Sequence, residues 1–169
     1  KSVYKYNISN NTWQTMNDMP YKTAYASTAI VKSKIYIIGG SNENGVLDEM
    51  YAYNSSSDEF NYVSKLNVCR RSCAAAVMND RVYIFGGSNS YNAQGINKLL
   101  EYKNAEGTYA ESLTDTVEVF IPDKKTCSIA DRLPKPIMGM SALNYFDNIY
   151  LMGGWSGAYE KNVRKYFGA

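Results

Sequence analysis

The chain of 169 residues contains no histidine. That absence removes the commonest general base, the commonest metal ligand and every Ser–His or Cys–His pair. Three cysteines, Cys69, Cys73 and Cys127, are too few for a disulfide framework and lack zinc spacing, which points to a reducing, cytoplasmic setting. The formal net charge is only +2, with no long basic run, so nucleic acid is not an expected partner. No apolar stretch approaches the roughly 20 residues that span a bilayer, so a membrane is not expected either. No cofactor and no metal are expected.

What the chain has instead is tyrosine, 16 residues of it, and glycine set in pairs. Ile35-Tyr36-Ile37-Ile38-Gly39-Gly40 recurs as Val82-Tyr83-Ile84-Phe85-Gly86-Gly87 and as Ile149-Tyr150-Leu151-Met152-Gly153-Gly154. The step from Gly40 to Gly87 is 47 residues and that from Gly87 to Gly154 is 67, so one repeat carries an insertion. A period of roughly 40 to 50 residues suits one four-stranded propeller blade. Each run is apolar without alternation, as a strand buried on both faces should be. Before it stands a strand of small residues, Ala26–Val31, Ala74–Met78 or Gly139–Leu143, suited to the crowded inner edge of a blade. Short polar turns, Lys32–Lys34, Asn79–Asp80 and Phe146–Asn148, join the two as hairpins.

After the glycines comes a third strand with aromatics, Tyr51–Asn54 or Val117–Phe120, matched by Val3–Asn7 at the start and Val163–Tyr166 at the end. Seven residues beyond the last aromatic of three of these strands sit Trp13, Phe60 and Cys127, a constant spacing explained by a hairpin turn and an outer strand. The insertion falls near 90–114 and reads first as a surface excursion, with two alternatives: a lid or docking arm on the binding face, or a segment in which Leu99–Tyr102 competes with Val117–Phe120 for the third-strand position.

These recurring features resemble the kelch repeat: a small-residue strand, a tyrosine strand ending in Gly-Gly, an aromatic pair and a tryptophan at fixed distance. Phe60 and Cys127 depart from the tryptophan. The resemblance implies an all-β, kelch-type β-propeller with roughly three of its four-stranded blades present. Residues 1–19 are read as the last two strands of one blade, 20–66 and 67–133 as complete blades, and 134–169 as the first three strands of another. A closed ring needs about four to eight blades, so the chain is expected to be part of a longer protein.

Loops after the double glycines and loops entering the inner strands should emerge on one face, the expected binding surface. It would present Ser41, Asn42, Ser88, Asn89, Trp155 and Ser156 from the first set. The entering loops would add Tyr21, Lys22, Tyr25, Arg70, Arg71, Ser72 and Lys135. Arginine clasps carboxylates and aromatics anchor apolar groups, so a protein or acidic peptide is the expected ligand. In peptide-binding kelch adaptors an arginine follows the loop proline closely; Arg70 takes that place by its distance from Gly87, whereas Thr23 and Ile137 stand there in the other blades.

Asp48 and Asp115 stand five residues before equivalent aromatics, which argues for a structural role at the turn after the glycines. Cys73 reads as a small buried hydrophobe. Cys69, beside Arg70 and Arg71, is the one thiol with a case for reactivity. A non-catalytic recognition module is therefore expected. Similarity to the propellers of BTB-kelch proteins implies a substrate receptor of a cullin-based ubiquitin ligase, engaging the cullin through a BTB domain outside this chain. An actin or cytoskeletal binder, or part of a kelch-fold enzyme with its catalytic residues elsewhere, are the alternatives.

Overall fold

The computed structural model describes residues 1–90 and 112–166, which form antiparallel sheets without a helix. An N-terminal pair joins β1 (Val3–Asn7) to β2 (Thr12–Met16). Blade one orders β3 (Ser27–Val31), β4 (Lys34–Ile38), β7 (Glu49–Asn54) and β8 (Glu59–Lys65), with a small ladder of β5 (Ser41–Asn42) and β6 (Gly45–Val46) at its rim. Blade two orders β9 (Ala74–Met78), β10 (Arg81–Phe85), β11 (Thr116–Ile121) and β12 (Thr126–Arg132). Blade three holds β13 (Ser141–Tyr145), β14 (Asn148–Met152) and β15 (Val163–Tyr166). No helix among the described residues is long and apolar enough to cross a membrane.

Local chemistry sets these boundaries. Lys32 and Ser33, like Asn79 and Asp80, have positive φ at both turn positions, the two-residue hairpin geometry that matches strand twist. The seven-residue spacing resolves into cross-strand partners: Tyr6 faces Trp13, Tyr53 faces Phe60 and Phe120 faces Cys127, each across a four-residue loop. The first two pairs bring their rings to 4.8 and 4.5 Å. The third strand of blade two is β11; the competing segment at 99–102, like most of the insertion, lies outside the described residues.

Alternate residues of β10 feed two cores. Val82 and Ile84 join Tyr36, Ile38, Met50 and Phe120 between blades one and two. Tyr83 and Phe85 join Val117, Val119, Ile149 and Leu151 between blades two and three. The repeated tyrosine has a defined partner in the following blade, since Tyr36 packs against Phe120 at 5.4 Å and Tyr83 against Tyr166 at 6.0 Å. Such aromatic pairs add about 0.5–1.5 kcal/mol each beyond area burial.

The double glycine is explained by backbone approach between blades. A Cβ on Gly39 would lie 2.4 Å from the Arg70 carbonyl oxygen, and one on Gly86 would lie 2.2 Å from that of Ile137. The next glycine then donates to that same carbonyl, Gly40 N–H to Arg70 at 2.9 Å and Gly87 N–H to Ile137 at 2.8 Å. Blade one thus seats on blade two, and blade two on blade three, through a contact that no side chain can enter.

Candidate functional site

Three rim ladders bring the two loop families together. In each, the residue after the second glycine exchanges backbone hydrogen bonds with a residue of the entering loop: Ser41 with Ala24, Ser88 with Arg71 and Trp155 with Met138, all at 2.8–3.0 Å. The expected face therefore exists, but its residues divide by burial. Lys22, Tyr25 and Asn89 are exposed, whereas Tyr21, Ser41, Asn42, Ser72, Trp155 and Ser156 are half-buried.

Arg70, Arg71 and Ser88 are buried, which corrects their assignment to a partner-facing surface. Arg70 is 0% exposed, and all five of its N–H donors are used within the protein. Nε donates to the Val68 carbonyl at 3.1 Å, and Nη1 to those of Gly86 and Thr116 at 2.9 and 3.1 Å. Nη2 reaches Thr116 Oγ1 at 2.6 Å and the Glu118 carboxylate. Arg71 lies over the Tyr25 ring, 5.6 Å from its centroid, and donates to the Ser90 carbonyl.

Glu118, equally buried, is the residue that sequence reasoning passed over. Its Oε2 accepts from Asn67 N–H at 2.7 Å, from Asn67 Nδ2 at 2.9 Å and from the Cys127 thiol at 3.3 Å. Its Oε1 accepts from Val68 N–H at 3.1 Å as well as from Arg70. Burial opposes ionisation of this carboxyl, but the Asn67 donors and the Arg70 charge outweigh it and hold it below the ordinary glutamate range. Two signals were present: a charge between Val117 and Val119, and a cysteine in place of tryptophan at 127. Burial pushes the Cys73 and Cys127 thiols up, which makes neither a ready nucleophile.

Cations on the rim already hold carboxylates. Lys22 pairs with Glu43 at 3.1 Å. Lys135 and Ser156 both donate to Glu160, and Arg164 reaches its second oxygen at 3.5 Å, so hydrogen bonding from Lys135 depresses the Glu160 carboxyl. The carboxylates of Asp48 and Asp115 bind Lys65 and Arg132 at 3.3 and 2.6 Å, at the ends of the outer strands rather than at the turn after the glycines. Among the described residues no group of three or more carboxylate or thiol side chains could hold a metal ion.

Tyr21 stacks on Tyr51 at 4.6 Å; its hydroxyl is buried without a hydrogen-bond partner, and burial above all raises it to about 12. Between blades two and three the same face carries a cleft of about 380 Å³, with Leu113, Pro136 and Trp155 beside Lys135 and Ser156.

The kelch motif matches residues 22–67 and 69–102 of this chain. The fold is a kelch-type β-propeller. A solved structure described as "Structure of YjhT" is similar over 99% of this chain with a TM-score of 0.76 and 16% sequence identity. This chain spans 59% of the length of that one. None of the curated proteins matches the sequence. Arg70, expected at the binding surface, serves instead the interior of its blade.

Proposed function

We propose that this kelch segment is a non-catalytic recognition module whose rim face engages a protein or a short peptide. One observation carries the reading: the rim ladders gather the loops of three blades on one face, where Tyr25 and Trp155 stand beside polar groups and a cleft opens between two blades. Kelch propellers generally bind proteins, and aromatic anchors surrounded by adaptable polar groups are how such surfaces work. Because Lys22 and Lys135 are matched by Glu43 and Glu160, an acidic peptide has to displace a resident carboxylate to reach either. Aromatic and amide contacts are therefore the stronger source of affinity.

Selection of a phage-displayed library of random short peptides on the chain tests this. Enriched peptides should lose affinity on Trp155→Ala, whereas failure to enrich any peptide rejects the reading. The finer role, a substrate receptor joined to a cullin by a BTB domain outside this chain, is supported by sequence resemblance. Co-precipitation of a cullin with the parent protein tests it, and filament co-sedimentation tests the cytoskeletal alternative.

A further inference from the structure

Tyr25, Ser72 and Gly139 occupy one position in three successive blades, and all have left-handed backbone, with φ of +59°, +50° and +65°. The conformation serves a relay between blades. Ser72 N–H donates to the Tyr25 carbonyl at 2.9 Å, and Gly139 N–H donates to the Ser72 carbonyl at 2.8 Å. The three residues lie just before β3, β9 and β13, the strands at one edge of each blade, so the relay runs along the inner edges of the three blades.

Glycine satisfies this backbone without strain, as it does in blade three, and serine is small. A tyrosine there is a steric outlier, and such outliers persist where the side chain has a use. Tyr25 is 43% exposed as a residue, and the Arg71 guanidinium lies over its ring, 5.6 Å from the centroid. That cation takes one face of the ring and holds it in place, while the residue as a whole stays exposed. The rim cation next along the loop, Lys22, is already matched by Glu43, so ion pairing is not the chemistry this spot offers.

We propose that Tyr25 is an aromatic anchor on the rim face beside β3, stacking a planar side chain, aromatic or proline, of a bound peptide. The assignment rests on the peptide-recognition reading above and names the kind of residue the ligand brings. Stacking on a strained, pre-positioned ring gains affinity because little rotamer freedom is left to lose on binding.

The test uses the full chain and the same random library of short peptides displayed on phage. Enriched peptides are titrated against Tyr25→Gly and Tyr25→Asn, both of which suit left-handed backbone. Enriched sequences should carry Trp, Tyr, Phe or Pro, and both variants should bind them at least about tenfold more weakly than the parent. Both should melt no more than roughly 3 °C below the parent. Parent-like affinity, or enrichment of peptides without planar side chains, overturns the anchor and leaves the recognition reading standing. A larger drop in melting temperature in both variants makes the ring a structural strut and overturns the anchor as well. If nothing is enriched, the recognition reading falls and takes this assignment with it.

Discussion

Blades one and two solve the same packing problem in opposite ways. By strand register Tyr51 and Glu118 are equivalent, facing Ile37 and Ile84 on the neighbouring strand. In blade one the position carries a phenol ring that stacks on Tyr21 of the entering loop. In blade two it carries a carboxylate that holds the entering loop through Asn67, Val68 and Arg70. Stacking asks little of its surroundings, whereas a buried ion pair is stable only while every donor and acceptor is met. The comparison teaches that repeat register fixes where a side chain goes but leaves its chemistry free, provided the partner changes with it.

The largest way to break that comparison is Glu118→Ala. It leaves the Arg70 charge buried without its carboxylate and should cost about 3–5 kcal/mol in urea unfolding. Removing both members together, Arg70→Thr with Glu118→Tyr, the residues that blade one carries at these two positions, should recover much of the loss, since it spares the uncompensated charge. Additive losses in the double variant would show that the pair is not a unit. Acid sharpens the same contrast. The folded-state carboxyl lies below its ordinary value of 4.5, so its contribution is present above that value and is lost as pH falls through the folded-state value. The stability gap between the parent and Glu118→Gln should therefore narrow on going from neutral pH to well below 4.5.

Next in size is Gly86→Ala. Both Gly86 and Gly153 have positive φ, but only at Gly86 does a Cβ meet a carbonyl oxygen, at 2.2 Å. Gly86→Ala should therefore cost roughly 2 kcal/mol more than Gly153→Ala by thermal unfolding. Tyr51→Leu removes the neutral stack of blade one and should cost only about 1 kcal/mol. Smallest of all, Lys65→Ala breaks an exposed pair with Asp48, and the melting temperature should not move measurably.

The architecture was legible because it is periodic. Seven-residue spacing marked cross-strand partners, paired polar residues marked tight turns, and Gly-Gly marked the contact between blades. The surface was less legible. Arg70 sits in a loop position shared with Thr23 and Ile137, and nothing near it in sequence reveals that Glu118 will neutralise it from the third strand. Burial of a charge is decided by a partner, and that partner lies 48 residues away. Lys135 and Glu160 teach the same lesson at the rim, where a cation that looks available is already engaged.

Gly153 gives the last consequence. At Gly39 and Gly86 the space beside the α-carbon is filled by a neighbour's carbonyl, but at Gly153 the nearest such atom is the Glu160 carbonyl oxygen at 3.9 Å. On the same blade Leu143 and Tyr145 are 45% and 59% exposed, although their counterparts Ala76 and Met78 are buried. Gly153 nevertheless keeps the left-handed backbone of Gly39 and Gly86, with φ of +71° against +59° and +56°, so the turn belongs to the strand exit itself and the close approach between blades is a use made of it.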